Sequence, residues 1–255
     1  MNSTVFVVGP AGSGKSTFTG SFQEWMKRNS YDAITVNLDP GAEFLPYEPD
    51  IDIRDYIQLQ EIMQDYSLGP NGAQILAADL VANQIDDLKK EIEEFETDYV
   101  LVDTPGQLEL FAFRTSSEFI MDQISEGRGY IAFLMDPMVA ISPAGYVSLL
   151  TLSASVFFRF YIPFINLINK IDLVSDSDLS KLRKWSTDPE LLYEDLRNEK
   201  PKMNNIYLLE VLKSLQTIGY SSAPVFCSSK ELKGMEEIYL NIQLTYSGGE
   251  DIEKR

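Results

Sequence analysis

The sequence predicts an α/β fold with three layers, in which helices cover both faces of a mostly parallel sheet. Short apolar runs rich in β-branched and aromatic residues alternate with longer helical patterns, which is typical of βαβ units. The runs are almost wholly apolar, as expected for strands that are covered on both faces. With 255 residues, the chain is long enough for one such domain with an insertion.

Six strands are predicted from these apolar runs. In chain order they are Thr4–Val8, Ala33–Leu38, Tyr99–Asp103, Tyr130–Met135, Pro163–Ile168 and Pro224–Cys227. Because parallel strands connected by right-handed crossovers point the same way, their carboxyl ends are expected to form one ligand-binding edge.

Two segments are longer than a minimal connection between strands. The first contains apolar residues at 3-4-3-4-3 spacing from Ala78 to Phe95, which predicts one helix. That helix packs either on its own sheet or against a partner. Residues 173–222 are expected to form a helical insertion into a single domain spanning 1–247, with 248–255 as a flexible tail.

Composition excludes several classes of function. The chain has no histidine, one cysteine and a formal net charge of −18. Ser-His-Asp triads, histidine-ligated zinc and an intrachain disulfide are therefore excluded. The acidic balance argues against direct nucleic acid binding.

A membrane span is not expected. Residues Pro137–Phe158 form a stretch of 22 uncharged residues, but its two prolines and its glycine favour buried elements of an α/β protein. The N-terminus lacks the basic and apolar pattern of a secretion signal, so a cytoplasmic location is expected.

The first predicted strand leads into a complete phosphate-binding motif, Gly9-Pro-Ala-Gly-Ser-Gly-Lys-Ser16, and a helical pattern over Thr17–Lys27 follows. This is the strand–loop–helix context of a P-loop, and it makes the predicted fold that of a P-loop NTPase. The glycines let backbone N–H groups point at phosphate oxygens beside a helix N-terminus. The expected phosphate-binding residues are Gly12, Ser13, Gly14, Lys15, Ser16 and Thr17, with Lys15 between the β- and γ-phosphates.

A magnesium site is predicted at the end of the strand Tyr99–Asp103. Mg²⁺ usually takes one or two protein ligands together with substrate phosphates, so Ser16 and Asp103 are the expected ligands. The following Asp-Thr-Pro-Gly-Gln has the pattern of a γ-phosphate sensor, in which the Gly106 amide bonds the γ-phosphate until hydrolysis. Gln107 is placed where Ras-like enzymes orient the attacking water.

A base-recognition loop, Asn-Lys-Ile-Asp, follows the fifth predicted strand. The Asp172 carboxylate accepts from both N1–H and the 2-amino group of guanine, and adenine lacks these donors. Lys170 is expected over the purine face, and Asn169 either ties the loop to the P-loop or reaches the base. Backbone N–H groups at Ser228 and Ser229 are expected to hold guanine O6. The predicted ligands are therefore GTP and GDP.

In this order, the motifs resemble those of the GPN-loop GTPases, a homodimeric branch of the P-loop GTPases, over nearly the whole chain. Four further segments carry the resemblance: Asn37–Gly41, Pro46–Pro49, Ile51–Arg54 and Gly69–Gly72. The length of the chain is similar to that of the short archaeal members. The resemblance implies that a loop at residues 69–71 reaches the phosphates bound by the other protomer, with Asn71 acting in trans. It also implies that Asp39 lies near Mg²⁺ and the attacking water.

The resulting hypothesis is an Mg²⁺-dependent, GTP-hydrolysing homodimeric switch. Its expected catalytic residues are Lys15, Asp39, Asn71 and Gln107, with Asp39 also a candidate metal ligand. The resemblance implies an unidentified protein partner, with RNA polymerase or its assembly machinery as an example. Two alternatives remain: a nucleotide-dependent scaffold with negligible turnover, and, less favoured, a P-loop small-molecule kinase.

Overall fold

A seven-stranded parallel sheet forms the centre of the molecule in the computed structural model, which describes residues 3–199, 203–220 and 223–247. The strands are β1 (Ser3–Val8), β2 (Ala33–Asn37), β3 (Ile51–Asp52), β4 (Tyr99–Asp103), β5 (Gly129–Met135), β6 (Phe164–Ile168) and β7 (Val225–Phe226). Their order across the sheet is β3-β2-β4-β1-β5-β6-β7. Every neighbouring pair is parallel, so the strands end at one common edge.

Helices connect the strands and cover both faces of the sheet. They are α1 (Lys15–Arg28), α2 (Leu59–Asp65), α3 (Pro70–Leu80), α4 (Ile85–Glu94), α5 (Thr115–Ser125), α6 (Pro137–Ala140), α7 (Pro143–Phe160), α8 (Asp176–Thr187), α9 (Pro189–Asn198), α10 (Met203–Thr217) and α11 (Met235–Ser247). Short 3₁₀ turns lie at 53–55, 81–84, 108–110 and 171–173.

Two buried apolar clusters, one on each face of the sheet, hold the three layers together. Alternate residues of β1 point to opposite faces, so Val5 and Val7 pack with α1 and α11. Phe6 and Val8 pack on the other face, where helices such as α4, α5 and α7 lie. The predicted fold class is confirmed, since strands buried on both faces give near-continuous apolar runs.

The predicted strands match the observed ones to within one residue at each end. The strand β3 was not predicted, because a two-residue strand has no periodicity to detect. The apolar stripe from Ala78 to Phe95 is not one helix: it runs through the end of α3, a 3₁₀ turn and α4. Its residues as far as Ile92 are buried in the chain's own core, whereas Phe95 is 42% exposed.

The uncharged stretch at 137–158 forms α6 and most of α7, and Tyr146 and Val147 of α7 are buried in the core. Within the described ranges, no helix combines the length and hydropathy that crossing a bilayer requires. Helices α8, α9 and α10 lie within 173–222. The expected tail at 248–255 lies outside the described residues.

Candidate nucleotide-binding site

The glycine-rich loop between β1 and α1 lies at the carboxyl edge of the sheet. Gly14 precedes α1 with φ +95°, a left-handed conformation that favours glycine. A Cβ at this position would lie 2.8 Å from Nδ2 of Asn169, so the loop and the base-recognition segment approach closely here. Ser16 is half-buried in the first turn of α1, and Thr17 is exposed.

Lys15 is buried beneath this loop. Its ammonium group donates to the carbonyl oxygens of Gly9 (2.9 Å), Pro10 (3.2 Å) and Gly106 (2.9 Å). Burial lowers the pKa of Lys15, and the nearby charges of Asp103 and Asp39 oppose that shift. The side chain is thus held at the point where the P-loop and the segment after β4 meet.

Asp103 ends β4 and is almost fully buried. Its Oδ2 accepts from the Tyr47 hydroxyl at 3.3 Å, while its Oδ1 has no hydrogen-bond partner among the described residues. Burial raises the pKa of Asp103 to about 6, and the nearby Ser16 hydroxyl and the charge of Lys15 oppose that shift. A buried carboxylate oxygen without a partner, with a serine hydroxyl close by, fits an Mg²⁺ ligand set.

Within the part of the chain that the structure describes, no cluster of three or more acidic or cysteine side chains is arranged to hold a metal. Asp103 and Ser16 would supply the protein's ligands to Mg²⁺.

Asp39 follows β2 and connects two loops. Its Oδ1 accepts from the N–H of Gly41 and its Oδ2 from the N–H of Gly106, both at 2.9 Å. The Gly106 amide, expected at the γ-phosphate, is therefore bonded to a carboxylate in this conformation. Gln107 is exposed immediately before the 3₁₀ turn at 108–110.

The Gly-Pro-Asn tripeptide begins a helix, which corrects the expectation of a loop at 69–71. Gly69 is the N-cap of α3 and Pro70 is its first residue, a position that proline favours because its φ is preset and its missing N–H is not needed. Asn71 follows and is exposed. A Cβ at Gly41 would lie 3.2 Å from Nε2 of Gln74, so α3 also borders the Asp39 loop of its own chain.

Asn169 ties the base loop to its surroundings. Its Nδ2 donates to the carbonyl oxygen of Ser13 at 3.3 Å. Its Oδ1 accepts from the backbone N–H of Ser229 at 3.1 Å and from the Ser229 hydroxyl at 2.9 Å. Asn169 was expected either to tie this loop to the P-loop or to reach the base, and in the structure it contacts the P-loop. The neighbouring Cys227 is buried, and burial raises the pKa of its thiol to about 12.

Asp172 is held by the loop that follows β7. Its Oδ1 accepts from the Ser228 hydroxyl at 2.6 Å. The backbone N–H of Ser228 donates to Lys233 O at 3.1 Å, and that of Ser229 donates to Asn169. The expectation that these two amides hold guanine O6 is therefore not met in this structure. Both N–H groups donate within the protein and stabilise the loop itself.

Lys170 lies across the P-loop. Its ammonium group donates to the carbonyl oxygen of Gly12 and, at 2.8 Å, to Oδ2 of Asp136. Asp136 was missed by the sequence analysis. The available signal was its place directly after β5, where it caps α6 at the carboxyl edge. Tyr47 lies in the short segment Pro46–Pro49, and no local signal assigns its contact with Asp103.

A parallel sheet with a P-loop after its first strand, an acid at the end of β4 and an Asn-Lys-x-Asp segment after β6 defines a P-loop nucleotide-binding protein. A family model described as "conserved hypothetical ATP binding protein" matches residues 7–247. The chain is 31% identical to the GPN-loop GTPase PAB0955 of Pyrococcus abyssi over 236 residues, which is 92% of this chain and 93% of that protein. It is 35% identical to GPN-loop GTPase 3 of Kluyveromyces lactis over 208 residues, covering 79% of this chain and 77% of the relative.

The crystal structure of PAB0955 in its apo form matches with a TM-score of 0.84 and 30% sequence identity, covering 96% of this chain and 98% of the other. The chain belongs to the GPN-loop GTPase family. The resemblance in the sequence and the predicted enzyme class, a GTPase, are thereby confirmed.

Proposed function

We propose that the protein hydrolyses GTP to GDP and phosphate at the carboxyl edge of its sheet, with Mg²⁺, and works as a homodimeric switch. The observation that carries the base assignment is the Asp172 carboxylate, held by Ser228 in a loop that Asn169 connects to the P-loop. The family model's description names ATP, whereas the relatives are named GTPases. A carboxylate at this position selects guanine, because adenine offers neither of the two donors that it accepts from.

Phosphate binding follows from the contacts of Lys15. Its three carbonyl contacts keep the ammonium group desolvated and close to the loop. On nucleotide binding, the β- and γ-phosphate oxygens replace some of these acceptors, with Gly12, Ser13, Gly14 and Thr17 around them. When bound through Asp103 and Ser16, Mg²⁺ would neutralise charge that develops on the transferred phosphoryl group.

Water positioning belongs to Gln107 or to Asp39. For the Gly106 amide to reach the γ-phosphate, its bond with Asp39 must open, which frees the Asp39 carboxylate to accept a hydrogen bond from the attacking water. The Asp39 carboxylate and a γ-phosphate oxygen are both charged acceptors for this amide, so the amide changes partner only when GTP is bound. Hydrolysis then restores the bond between Asp39 and Gly106.

The dimer supplies the last group. Asn71 is exposed in the first turn of α3. In the proposed dimer its amide donates to the γ-phosphate bound by the partner protomer, in place of an arginine finger. This role is tested by mixing two inactive variants. Lys15→Ala removes nucleotide binding, and Asn71→Ala removes the donor but leaves its own pocket intact.

Each variant alone is expected to lose most of its turnover. An equal mixture should recover about a quarter of the wild-type rate, because half of the dimers are mixed and each of these has one complete site. The matched control is a mixture of Asn71→Ala with Lys15→Ala/Asn71→Ala, which binds nucleotide at the same share of sites but contains no intact Asn71. A mixture that stays as inactive as that control excludes action in trans.

The output of the switch is proposed to be the state of a protein partner in the cytoplasm, with RNA polymerase assembly as the example that the resemblance implies. The net charge of −18 supports a protein partner over nucleic acid. Phosphate release from GTP without any added acceptor distinguishes this enzyme from a small-molecule kinase. A complete lack of turnover in the intact dimer would leave the nucleotide-dependent scaffold as the function.

A further inference from the structure

The carboxylate that would hold Mg²⁺ is bonded to a tyrosine from a different part of the chain. Tyr47 lies between β2 and β3, and its hydroxyl donates to Oδ2 of Asp103 at 3.3 Å, across 56 positions in sequence. The other oxygen, Oδ1, is buried without a partner among the described residues. One carboxylate oxygen is thus fixed by a donor while the other is available to a metal.

The backbone of α1 makes room for this tyrosine. A Cβ at Gly20 would lie 2.6 Å from Cβ and 3.1 Å from Cγ of Tyr47, so any larger residue there would push the ring away. Tyr47 is half-buried against this helix. The ring position, and with it the hydroxyl position, is therefore set by close packing.

Residues 47–50, which we call the strap, are also fixed at their far end. Oδ2 of Asp50 accepts from Nε2 of Gln23 in α1 at 2.6 Å. It also accepts from the backbone N–H and the hydroxyl of Thr35 in β2, at 2.7 and 2.9 Å. A segment held at both ends presents its tyrosine hydroxyl in one place.

We propose that Tyr47 is a positioning residue for the magnesium site: its hydroxyl orients Asp103 so that Oδ1 faces the metal. The proposal rests on the Mg²⁺-dependent function given above and adds a residue that acts through Asp103. Partners that orient a metal ligand commonly change metal affinity by 10- to 100-fold when removed. Since this hydrogen bond is long, the lower end of that range applies.

The test is the Mg²⁺ dependence of release of a fluorescent N-methylanthraniloyl-GDP. Tyr47→Phe keeps the ring on Gly20 and removes only the hydroxyl. The half-saturating Mg²⁺ concentration should rise about tenfold, with the release rate in EDTA unchanged. Tyr56→Phe is the matched control, because the Tyr56 hydroxyl donates to Glu91 at the surface, at 2.6 Å, and should behave as wild type.

Gly20→Ala provides an independent route, because it displaces the ring without changing the hydroxyl. It should raise the half-saturating Mg²⁺ concentration to a similar extent, and adding Tyr47→Phe should produce no further rise. An unchanged Mg²⁺ response in Tyr47→Phe overturns the proposal, as does an equal change in EDTA and in Mg²⁺. If wild-type release does not depend on Mg²⁺, the magnesium part of the proposed function fails first.

Discussion

At the scale of single residues, the proposed metal ligand Asp103 carries a cost in stability. Its pKa is raised by burial from 3.8 to about 6 in the folded protein, so folding favours the protonated carboxyl. This favourable contribution is fully present below about pH 4 and is lost as the pH rises through about 6. Above that pH the nucleotide-free protein carries a buried charge that Mg²⁺ would compensate.

Asp103→Asn should therefore stabilise the nucleotide-free protein at pH 7.5, by up to roughly 3 kcal/mol, and should give little gain near pH 4. Urea unfolding in EDTA at several pH values measures this difference. The same variant should lose the Mg²⁺ dependence of nucleotide release. A stability difference that is the same at all pH values would show that ionisation of Asp103 is not its cause.

Asp172 and Asn169 lie in the same loop, but their substitutions should affect nucleotide binding in different ways. Asp172→Asn should weaken GTP binding about a hundredfold and leave ATP binding nearly unchanged, because it removes one charged acceptor of two guanine donors. Asn169→Ala should weaken both nucleotides, since it releases the loop from Ser13 and Ser229 without touching the selecting carboxylate. Competition binding with both nucleotides gives the ratio.

The control for the charge change is Asp176→Asn, an exposed acid in the first turn of α8. It should leave both affinities at the wild-type value. Equal losses of GTP and ATP binding in Asp172→Asn would contradict base selection by this carboxylate.

At the scale of elements, the strap connects α1, β2 and the end of β4. Asp50→Ala removes three hydrogen bonds at its far end and leaves their donors without that acceptor, so the free energy of unfolding should fall by about 2 kcal/mol. Asp65→Ala, at the exposed end of α2, matches the change in charge and should be close to neutral. Thermal unfolding, together with hydrogen exchange over residues 43–50, measures both effects.

The elements that the sequence predicts well are those with a local signature. Strands buried on both faces, the P-loop and the acids that follow strands all appear as short continuous patterns. The start of α3 at Pro70 was missed because Gly-Pro-Asn-Gly reads as a turn when the helix that follows is not considered. The apolar stripe at 78–95 correctly predicts which residues are buried as far as Ile92, but it wrongly predicts a single helix. The 3₁₀ turn between α3 and α4 preserves much of the helical spacing, so the sequence pattern does not reveal the break.

At the scale of the whole molecule, the contacts that complete the site join distant parts of the chain. Asp39 and Gly106 are 67 positions apart, and Asn169 and Ser13 are 156 apart. No periodicity encodes such pairs, although the parallel sheet places their strand ends at one edge. The location of the site is therefore predictable from the order of motifs, whereas the hydrogen bonds between its loops require the three-dimensional structure.

A cavity beside α3 is relevant to the proposed dimer. Residues 40–43 and the first turn of α2 line one cavity of about 600 Å³, to which Arg54, Met63, Pro70 and Gln74 also contribute. This cavity lies beside the residues proposed to meet a second protomer. Analytical ultracentrifugation with and without a GTP analogue should show a tighter dimer with the analogue, and the same dimer in both states would separate assembly from the switch.

The buried Cys227 makes the chain convenient for chemical labelling. It is the single thiol of the sequence, it is fully buried below the base loop, and its pKa of about 12 keeps it in the unreactive neutral form. Cysteines introduced at exposed sites can therefore carry spin or fluorescent probes in an otherwise native chain, without a prior cysteine-free background. Slow modification of Cys227 itself then reports, in the same sample, how often the base loop and the strand beneath it open.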